Sequence, residues 1–290
     1  MTIGLVPHLD KPQALTACRE LVEWLELHGI RPCCTREVGA RIKRPDLVVD
    51  ETGRTQARLL VVLGGDGTLL SVVRRYVAWE LPILGINFGK LGFLTEIELQ
   101  DMFTGMERVL QGDYKVQERM LLRVVVQRRK KTIKDLRALN EMVISKGAFS
   151  RMLELHMAID GQRLDPLPAD GVIVATPTGS TAYSLSAGGP IVAPDIGVLL
   201  LTPICPHSLH ARPMVISPAS TVQIRVQAQH EDILLTIDGQ ESCPLELGDQ
   251  VVISRAKEVA RFVKVSANGF FDVLRQKLGG PPSCYREGEL

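Results

Sequence analysis

The segment LLVVLGGDGT, residues 59–68, decides how the chain folds. Its first five residues are all apolar, which is typical of a strand buried on both faces of a parallel sheet. Gly64 ends this strand, and apolar residues return at helical spacing over residues 68–77. A strand, a glycine-rich turn and a helix in this order predict an open α/β layer, whose ligands bind at the carboxyl ends of the strands.

The flanking sequence repeats this alternation. Short apolar runs predict strands at residues 3–6 and 82–86, and helical spacing predicts helices over residues 15–27 and 100–110. Helical spacing also returns over residues 269–278, near the end of the chain. We therefore expect an N-terminal open α/β domain, Rossmann-like in its layers, to which a C-terminal helix returns.

Beyond about residue 115, short strands follow one another with turns such as Asp160-Gly161, Asp238-Gly239 and Gly248-Asp249 between them. The predicted strands are residues 121–127, 139–145, 153–159, 172–176, 197–202, 221–227, 233–237 and 250–254. Successive short strands predict an all-β domain of two packed sheets, a β-sandwich. The predicted division is an α/β domain of residues 1–115 with 268–290, and a β-sandwich domain of residues 116–267.

Composition and charge exclude several classes of function. The 290 residues have a formal net charge of +1 and are 45% apolar, so nothing favours bulk binding to nucleic acid or to an anionic membrane surface. No segment of the sequence is apolar for long enough to span a bilayer. The six cysteines show no paired spacing, which fits a reducing compartment. We expect a cytoplasmic globular protein with no nucleic-acid or membrane partner.

The turn Gly64-Gly65-Asp66-Gly67-Thr68 carries the sharpest chemical signal. Glycines allow the backbone to approach a phosphate closely, and the start of the following helix favours an anion. The turn is neither a Walker loop nor a dinucleotide fingerprint, because no Gly-Lys-Ser/Thr follows it and no Gly-x-Gly-x-x-Gly is present. We expect Asp66 to orient or deprotonate an attacking hydroxyl. The alternative is that Asp66 only caps its helix.

A second glycine-rich segment, residues 170–190, also runs from a predicted strand into a turn. It is dense in small hydroxyl residues, which need hydrogen-bond partners when they are buried. Its hydroxyls, backbone amides and Tyr183 could surround a purine and its ribose, and the alternative is an ordinary surface loop. The pair Asn140-Glu141, at the edge of a predicted strand, could bind ribose hydroxyls through its amide and carboxylate.

Together these segments resemble the NAD kinase family. The Gly-Gly-Asp-Gly-Thr loop is shared with diacylglycerol and sphingosine kinases, and phosphofructokinases have a similar loop. Asn140-Glu141 and TPTGSTAY, residues 176–183, are more specific to the NAD kinases. Further matches are LGFLT at residues 91–95, PHSL at 206–209 with Arg212-Pro213, and Asp238-Gly239-Gln240. The matches follow the family order from about residue 59 to residue 278.

The resemblance implies a kinase that transfers a phosphoryl group from ATP or polyphosphate to the adenosine 2′-hydroxyl of NAD, bound between the two domains. It implies Mg²⁺ carried in by the nucleotide, with no metal site of the protein alone, and a homodimer or homotetramer. Asp66 would be the catalytic proton acceptor, and the phosphate loop would be Gly64, Gly65, Gly67 and Thr68. The NAD-binding residues would be Asp66, Gly67, Asn140, Glu141, Arg151, Asp170, Thr178, Thr181, Ala182, Tyr183, Ser184, Leu185, Ser186 and Gln240.

One departure from the family concerns the acceptor. Many relatives carry Arg or Gly where this chain has Pro168, which has neither charge nor N–H, so the choice between NAD and NADH and the choice of donor stay open. Three other functions are also alternatives. A lipid kinase would need an apolar acceptor pocket, a non-catalytic NAD-binding regulator would not need Asp66, and an oxidoreductase is disfavoured because Gly-x-Gly-x-x-Gly is absent.

Overall fold

The computed structural model describes residues 1–49, 57–89, 92–147, 152–208, 210–227, 232–266 and 268–279. The chain divides into two compact units. The first unit contains Met1–Leu69, Leu81–Gln117 and the chain from Phe262 onward, and the second contains Leu70–Glu80 and Glu118–Arg261. The predicted domain boundaries stay a prediction.

The first unit is built on a parallel sheet. Its strands are β1 (Thr2–Pro7), β2 (Arg31–Cys33), β3 (Leu59–Leu63), β4 (Pro82–Asn87) and β5 (Ile97–Glu98). The order is β4-β3-β1-β2, with β5 also paired to β4, and these pairings are parallel. From β1 the chain goes to β2 on one side and to β3 on the other. The carboxyl ends of β1 and β3 therefore flank the switch point at which such sheets bind ligands.

Helices cover this sheet. They are α1 (Pro12–Leu27), α2 (Arg36–Ile42), the start of α3 (Asp66–Tyr76), α4 (Met102–Leu110) and α6 (Phe270–Leu278), with 3₁₀ turns at Pro45–Leu47 and Leu99–Asp101. The buried residues of α1, such as Leu21, Val22 and Leu25, recur at helical spacing and share one apolar core with β1, β3 and β4. The predicted open α/β layer and the C-terminal helix of this unit are confirmed, whereas α2 was not predicted.

The second unit contains two antiparallel sheets. One has the order β14-β13-β12-β8-β16-β17, and the other has β10-β9-β15-β18 with β11 on β9 and β6 joined to β18 and β7. The strands are β6 (Lys115–Arg128), β7 (Lys131–Ala138), β8 (Glu141–Lys146), β9 (Leu153–Ile159), β10 (Gln162–Arg163), β11 (Leu167–Ala169), β12 (Gly171–Ala175), β13 (Leu199–Ile204), β14 (Met214–Ile216), β15 (Val222–Gln227), β16 (Ile233–Ile237), β17 (Glu241–Pro244) and β18 (Gln250–Lys264). This unit also contains the rest of α3, the 3₁₀ turns Val77–Trp79 and Thr178–Thr181, and the short helix α5 (Tyr183–Ser186).

The two sheets share one core, which confirms the predicted β-sandwich. Leu122 of β6, Leu155 of β9 and Val251 of β18 are buried in the same apolar cluster as Ile144 of β8 and Leu201 of β13. Strands β6 and β18 extend beyond their predicted ends, and β7, β14 and β17 were not predicted. β7 and β17 carry many polar or exposed residues, so no apolar run indicates them. β14 has the apolar sequence MVI, but it is only three residues long.

The predicted Asp-Gly turns are confirmed by the backbone. Asp160 and Gly161 have φ of 51° and 81°, and Asp238 and Gly239 have φ of 49° and 63°. Two successive positive φ angles suit the tight connection between antiparallel strands. In the described part of the chain, no helix is long and apolar enough to cross a membrane. The cysteines that the structure describes, Cys18, Cys33, Cys34, Cys205 and Cys243, are free thiols.

Candidate functional site

The glycine-rich loop lies at the carboxyl edge of the parallel sheet. The N–H of Gly64 donates to the carbonyl of Ile86 at 2.9 Å, which joins the ends of β3 and β4. A Cβ on Gly64 would lie 2.4 Å from Thr68 Oγ1, so no larger residue fits there without displacing Thr68. The N–H groups of Thr68 and Leu69 return to the carbonyl of Gly65 and begin α3. The loop is thus a tight backbone turn at a helix N-terminus, which is a favourable place for phosphate.

The carboxylate of Asp66 is oriented by a second turn of the first unit. It accepts N–H groups from Phe93 at 2.9 Å, from Leu94 at 3.2 Å and from Thr95 at 3.2 Å. Asp66 is the first residue of α3, and these bonds lead away from that helix. The interpretation of Asp66 as a simple helix cap is therefore wrong for this structure. A half-buried carboxylate beside a phosphate-type loop can accept a proton from a hydroxyl.

In the second unit, the turns that contain Asn140 and Thr176 are bonded together. Thr176 Oγ1 donates to the carbonyl of Leu139 at 2.5 Å, and the N–H of Thr176 donates to the carbonyl of Asn140 at 2.9 Å. The N–H of Gly179 then donates to Thr176 Oγ1 at 3.1 Å. A Cβ on Gly179 would lie 2.1 Å from the carbonyl oxygen of Asn140. Two segments 36 residues apart in sequence thus form one compact cluster, here called the Asn140 cluster.

Asp238 completes this cluster from a third segment. Its side chain is fully buried and accepts the N–H groups of Leu139 at 3.1 Å, Asn140 at 2.8 Å and Glu141 at 3.2 Å. Arg74 Nη1 lies 3.2 Å from Asp238 Oδ2, and Arg74 Nη2 donates to Gln240 Oε1 at 2.7 Å. Burial raises the pKa of Asp238, while the three N–H groups and Arg74 act in the opposite direction.

Glu141 is the second buried acid of the cluster. The pKa of Glu141 is raised to about 8. Burial is the largest cause and the nearby Asp238 carboxylate is the second, whereas a hydrogen bond from the N–H of Tyr183 acts in the opposite direction. Its Oε2 atom is buried without a hydrogen-bond partner in the described structure. A buried acceptor without a partner is costly, and such groups often mark the place of a ligand.

The other residues of the predicted site are distributed along the same segments. Asp170 pairs with Lys146 at 3.1 Å, Thr181 Oγ1 donates to the carbonyl of Thr178 at 3.3 Å, and the buried hydroxyl of Ser184 bonds to Thr202 at 2.9 Å. Ala182, Tyr183, Leu185 and Ser186 follow in the turn and α5, where Tyr183 and Ser186 are exposed. Arg151 lies outside the described residues. Their roles in binding NAD stay a prediction.

Sequence reasoning assigned no role to several residues that hold this site together. Asp238 was interpreted as a turn residue and as part of a family match, but its buried contact with the Asn140 turn has no signal in the sequence. Arg74 is one of several charged residues of α3, and only the fold brings it to Asp238. Thr176 belonged to a recognised motif, yet its bond across to Leu139 depends on the pairing of β8 with β12.

Groups of three or more acidic, histidine or cysteine side chains that could hold a metal are not found among the described residues. The donors near the glycine-rich loop are backbone N–H groups and the carboxylate of Asp66, which already accepts three N–H bonds. A glycine-rich turn at a helix N-terminus favours phosphate, and the use of Mg²⁺ stays a prediction.

Comparisons with known proteins agree with the features of both units. The family model for the ATP-NAD kinase N-terminal domain matches residues 3–114, and that for the ATP-NAD kinase C-terminal domain matches residues 139–265. The chain is 44% identical to the NAD kinase of Moorella thermoacetica over 276 residues, covering 95% of this chain and 88% of that protein. It is 45% identical to the NAD kinase of Symbiobacterium thermophilum over 278 residues, covering 96% and 98%.

Solved structures give the same result. Yeast NADH kinase complexed with NADH has a TM-score of 0.88 at 26% identity and covers all of this chain and 90% of its own. An NAD kinase from Archaeoglobus fulgidus in complex with ATP has a TM-score of 0.72 at 24% identity, covers 96% and 98%, and supports the fold alone. The glycine-rich loop, the Asn140 cluster and these matches over nearly the whole chain show that it belongs to the NAD kinase family and is an enzyme of that kind.

Proposed function

We propose that this NAD kinase transfers the terminal phosphoryl group of ATP, or of polyphosphate, to the adenosine 2′-hydroxyl of NAD, with Asp66 as the proton acceptor. The observation that carries the proposal is the placement of the Asp66 carboxylate in a tight glycine turn at the switch point of the parallel sheet. The name of the matching family, ATP-NAD kinase, favours ATP as the donor.

The reaction exchanges one phosphorus–oxygen bond for another. A bond forms between the ribose O2′ and the terminal phosphorus, the bond from that phosphorus to its bridging oxygen breaks, and ADP leaves when ATP is the donor. The proton of the 2′-hydroxyl passes to a carboxylate oxygen of Asp66. The phosphate loop of Gly64, Gly65, Gly67 and Thr68 lets phosphate oxygens approach the backbone closely at the N-terminus of α3, and phosphoryl transfer depends mainly on such positioning and on charge neutralisation. When bound, Mg²⁺ carried by the nucleotide neutralises phosphate charge.

The Asn140 cluster of the second unit supplies most of the proposed contacts with NAD. Asn140 and the partnerless Oε2 of Glu141 present an amide and a carboxyl group to ribose hydroxyls. The hydroxyls and backbone of the Thr176 turn surround the adenine and its ribose. The remaining proposed contacts are Gly67, Arg151, Asp170, Thr178, Thr181, Ala182, Tyr183, Ser184, Leu185, Ser186 and Gln240. A homodimer or homotetramer and a cytoplasmic location stay predictions from the sequence.

The alternatives predict different behaviour. A lipid kinase requires an apolar acceptor pocket. The Asn140 cluster and the turn that follows it instead contain buried hydroxyls, those of Thr176, Thr178, Ser180 and Ser184. An NAD-binding regulator has no need for an oriented carboxylate in the glycine-rich loop. Both alternatives are tested by offering the purified protein NAD, NADH or diacylglycerol vesicles with Mg²⁺ and either ATP or polyphosphate, and measuring the phosphorylated product of each.

The decisive variant is Asp66→Asn, which keeps the shape of the side chain and removes its basicity. General-base help is worth about 10²- to 10⁴-fold in rate, so kcat should fall by that factor while the Kd for NAD changes little. The control is Asp113→Asn, at an exposed aspartate of the same unit between α4 and β6, and this variant should keep full activity. Undiminished turnover in Asp66→Asn would exclude Asp66 as the proton acceptor.

A further inference from the structure

The turn Gly92–Thr95, here called the carboxylate turn, lies against the Asp66 carboxylate in the first unit. It follows β4 and supplies the three N–H groups that Asp66 accepts. We propose that the carboxylate turn is a positioning element for the phosphoryl acceptor step, and that Gly92 is required because any side chain there would displace the Asp66 carboxylate. This inference rests on the proposed function of Asp66.

Three hydrogen bonds fix which part of the carboxylate can meet a substrate. Leu94 and Thr95 both donate to Oδ1, whereas Phe93 alone donates to Oδ2. An ionised carboxylate has about four positions at which it accepts hydrogen bonds, two on each oxygen. Within the described residues the pattern leaves one position on Oδ2. We therefore assign Oδ2 as the oxygen that receives the proton of the acceptor hydroxyl.

The space around Gly92 has no room for a side chain. A Cβ on Gly92 would lie 2.0 Å from Asp66 Oδ1 and 2.5 Å from both Cγ and Oδ2. The collision is with the functional end of Asp66, and the carboxylate must move by an ångström or more to relieve it.

The carboxylate turn is itself held in place. The N–H of Gly92 donates to Thr95 Oγ1 at 2.7 Å, and the N–H of Glu96 donates to the carbonyl of Gly85 in β4 at 2.9 Å. The buried carboxylate of Glu96 then accepts the N–H groups of Val265 at 2.8 Å and Ser266 at 2.6 Å. A turn anchored on both sides can direct its amides at one point, as precise catalytic geometry requires.

The test compares two glycines of one segment. Gly92→Ala should lower kcat by about 100-fold, since a misplacement of about 1 Å can cost that much, while the Kd for NAD, measured by calorimetry, stays within about twofold. Gly89→Ala is the matched control, because a Cβ there has nothing within 4 Å, and it should retain its kcat. Thr95→Val, which removes the acceptor for the N–H of Gly92, should lower kcat in the same direction by a smaller factor.

A double-variant measurement separates positioning from general damage. In the Asp66→Asn background, Gly92→Ala should cause little further loss, because both changes remove one interaction. Equal losses in both backgrounds, or a normal kcat in folded Gly92→Ala, would overturn the proposal. If Asp66→Asn is fully active, the proposed function of Asp66 fails first. If Asp66→Asn is inactive and Gly92→Ala is normal, only the present inference fails. Thermal denaturation of each variant verifies folding.

Discussion

The substitution Glu141→Gln tests the electrostatics of the Asn140 cluster. Glu141 is 5% exposed, lies next to the Asp238 carboxylate, and has a pKa raised to about 8 by burial. Glutamine has nearly the same shape but no charge. We expect the variant to be more stable than the wild type near neutral pH, and the gain to grow as the pH rises.

The sign follows from the two pKa values. Because folding raises the pKa of Glu141 from 4.5 to about 8, its favourable contribution is complete below pH 4.5 and is lost as the pH rises through 8. Within that window each pH unit lowers the free energy of unfolding of the wild type, relative to the variant, by about 1.4 kcal/mol. The difference should therefore widen by about 2 to 3 kcal/mol between roughly pH 6 and pH 8.

Urea unfolding, followed by tryptophan fluorescence at several pH values, measures this difference. Glu241→Gln is the control, since Glu241 is a less buried glutamate on β17 of the same sheet, and its effect should not change with pH in this way. The variant should also bind NAD more weakly, because the amide replaces an acceptor oxygen that is proposed to bind a ribose hydroxyl. A variant that is less stable at every pH, or equally altered at every pH, would refute the assigned pKa.

Two further predictions concern the same cluster. Asp238→Asn should lower the free energy of unfolding by about 3 to 5 kcal/mol in urea unfolding, because it leaves Arg74 without its buried partner; a loss below about 1 kcal/mol would contradict a buried ion pair there. Gly179→Ala should raise the Kd for NAD at least about tenfold, since its Cβ would lie 2.1 Å from the Asn140 carbonyl. Gly197→Ala, where the nearest atom is 3.6 Å away, is the control, and equal affinities would disprove the packing argument.

Much of the fold could be predicted because burial and periodicity agree in the central elements. The apolar run of β3 is buried at all five positions, and β9 and β16 have the predicted bounds. Strands such as β7, with the mostly exposed sequence KTIKDLRA, are held by backbone pairing and by ion pairs such as that of Arg123 with Asp135. Their side chains carry no pattern of burial, so the sequence does not distinguish such a strand from a loop.

The candidate site could be predicted at its motifs but not at its supports. Asp66, Asn140 and Glu141 belong to segments whose residue types indicate chemistry directly. The partners that orient them are backbone N–H groups or residues far away in sequence, such as Asp238 beneath Asn140 at a separation of 98 residues. A backbone amide has no residue type to recognise, and a long-range ion pair depends on the completed topology.

Asp66 and Asp238 show how one structural device serves two purposes. Each carboxylate accepts three consecutive backbone N–H groups, from residues 93–95 in the first unit and from residues 139–141 in the second. At Asp238 the remaining capacity is taken by Arg74 and the side chain is fully buried, so it can only hold its turn in place. Asp66 is half-buried and keeps a position on Oδ2, so the same arrangement there leaves a basic oxygen available to substrate. The difference in exposure and in the fourth partner is what makes one aspartate structural and the other the proposed base.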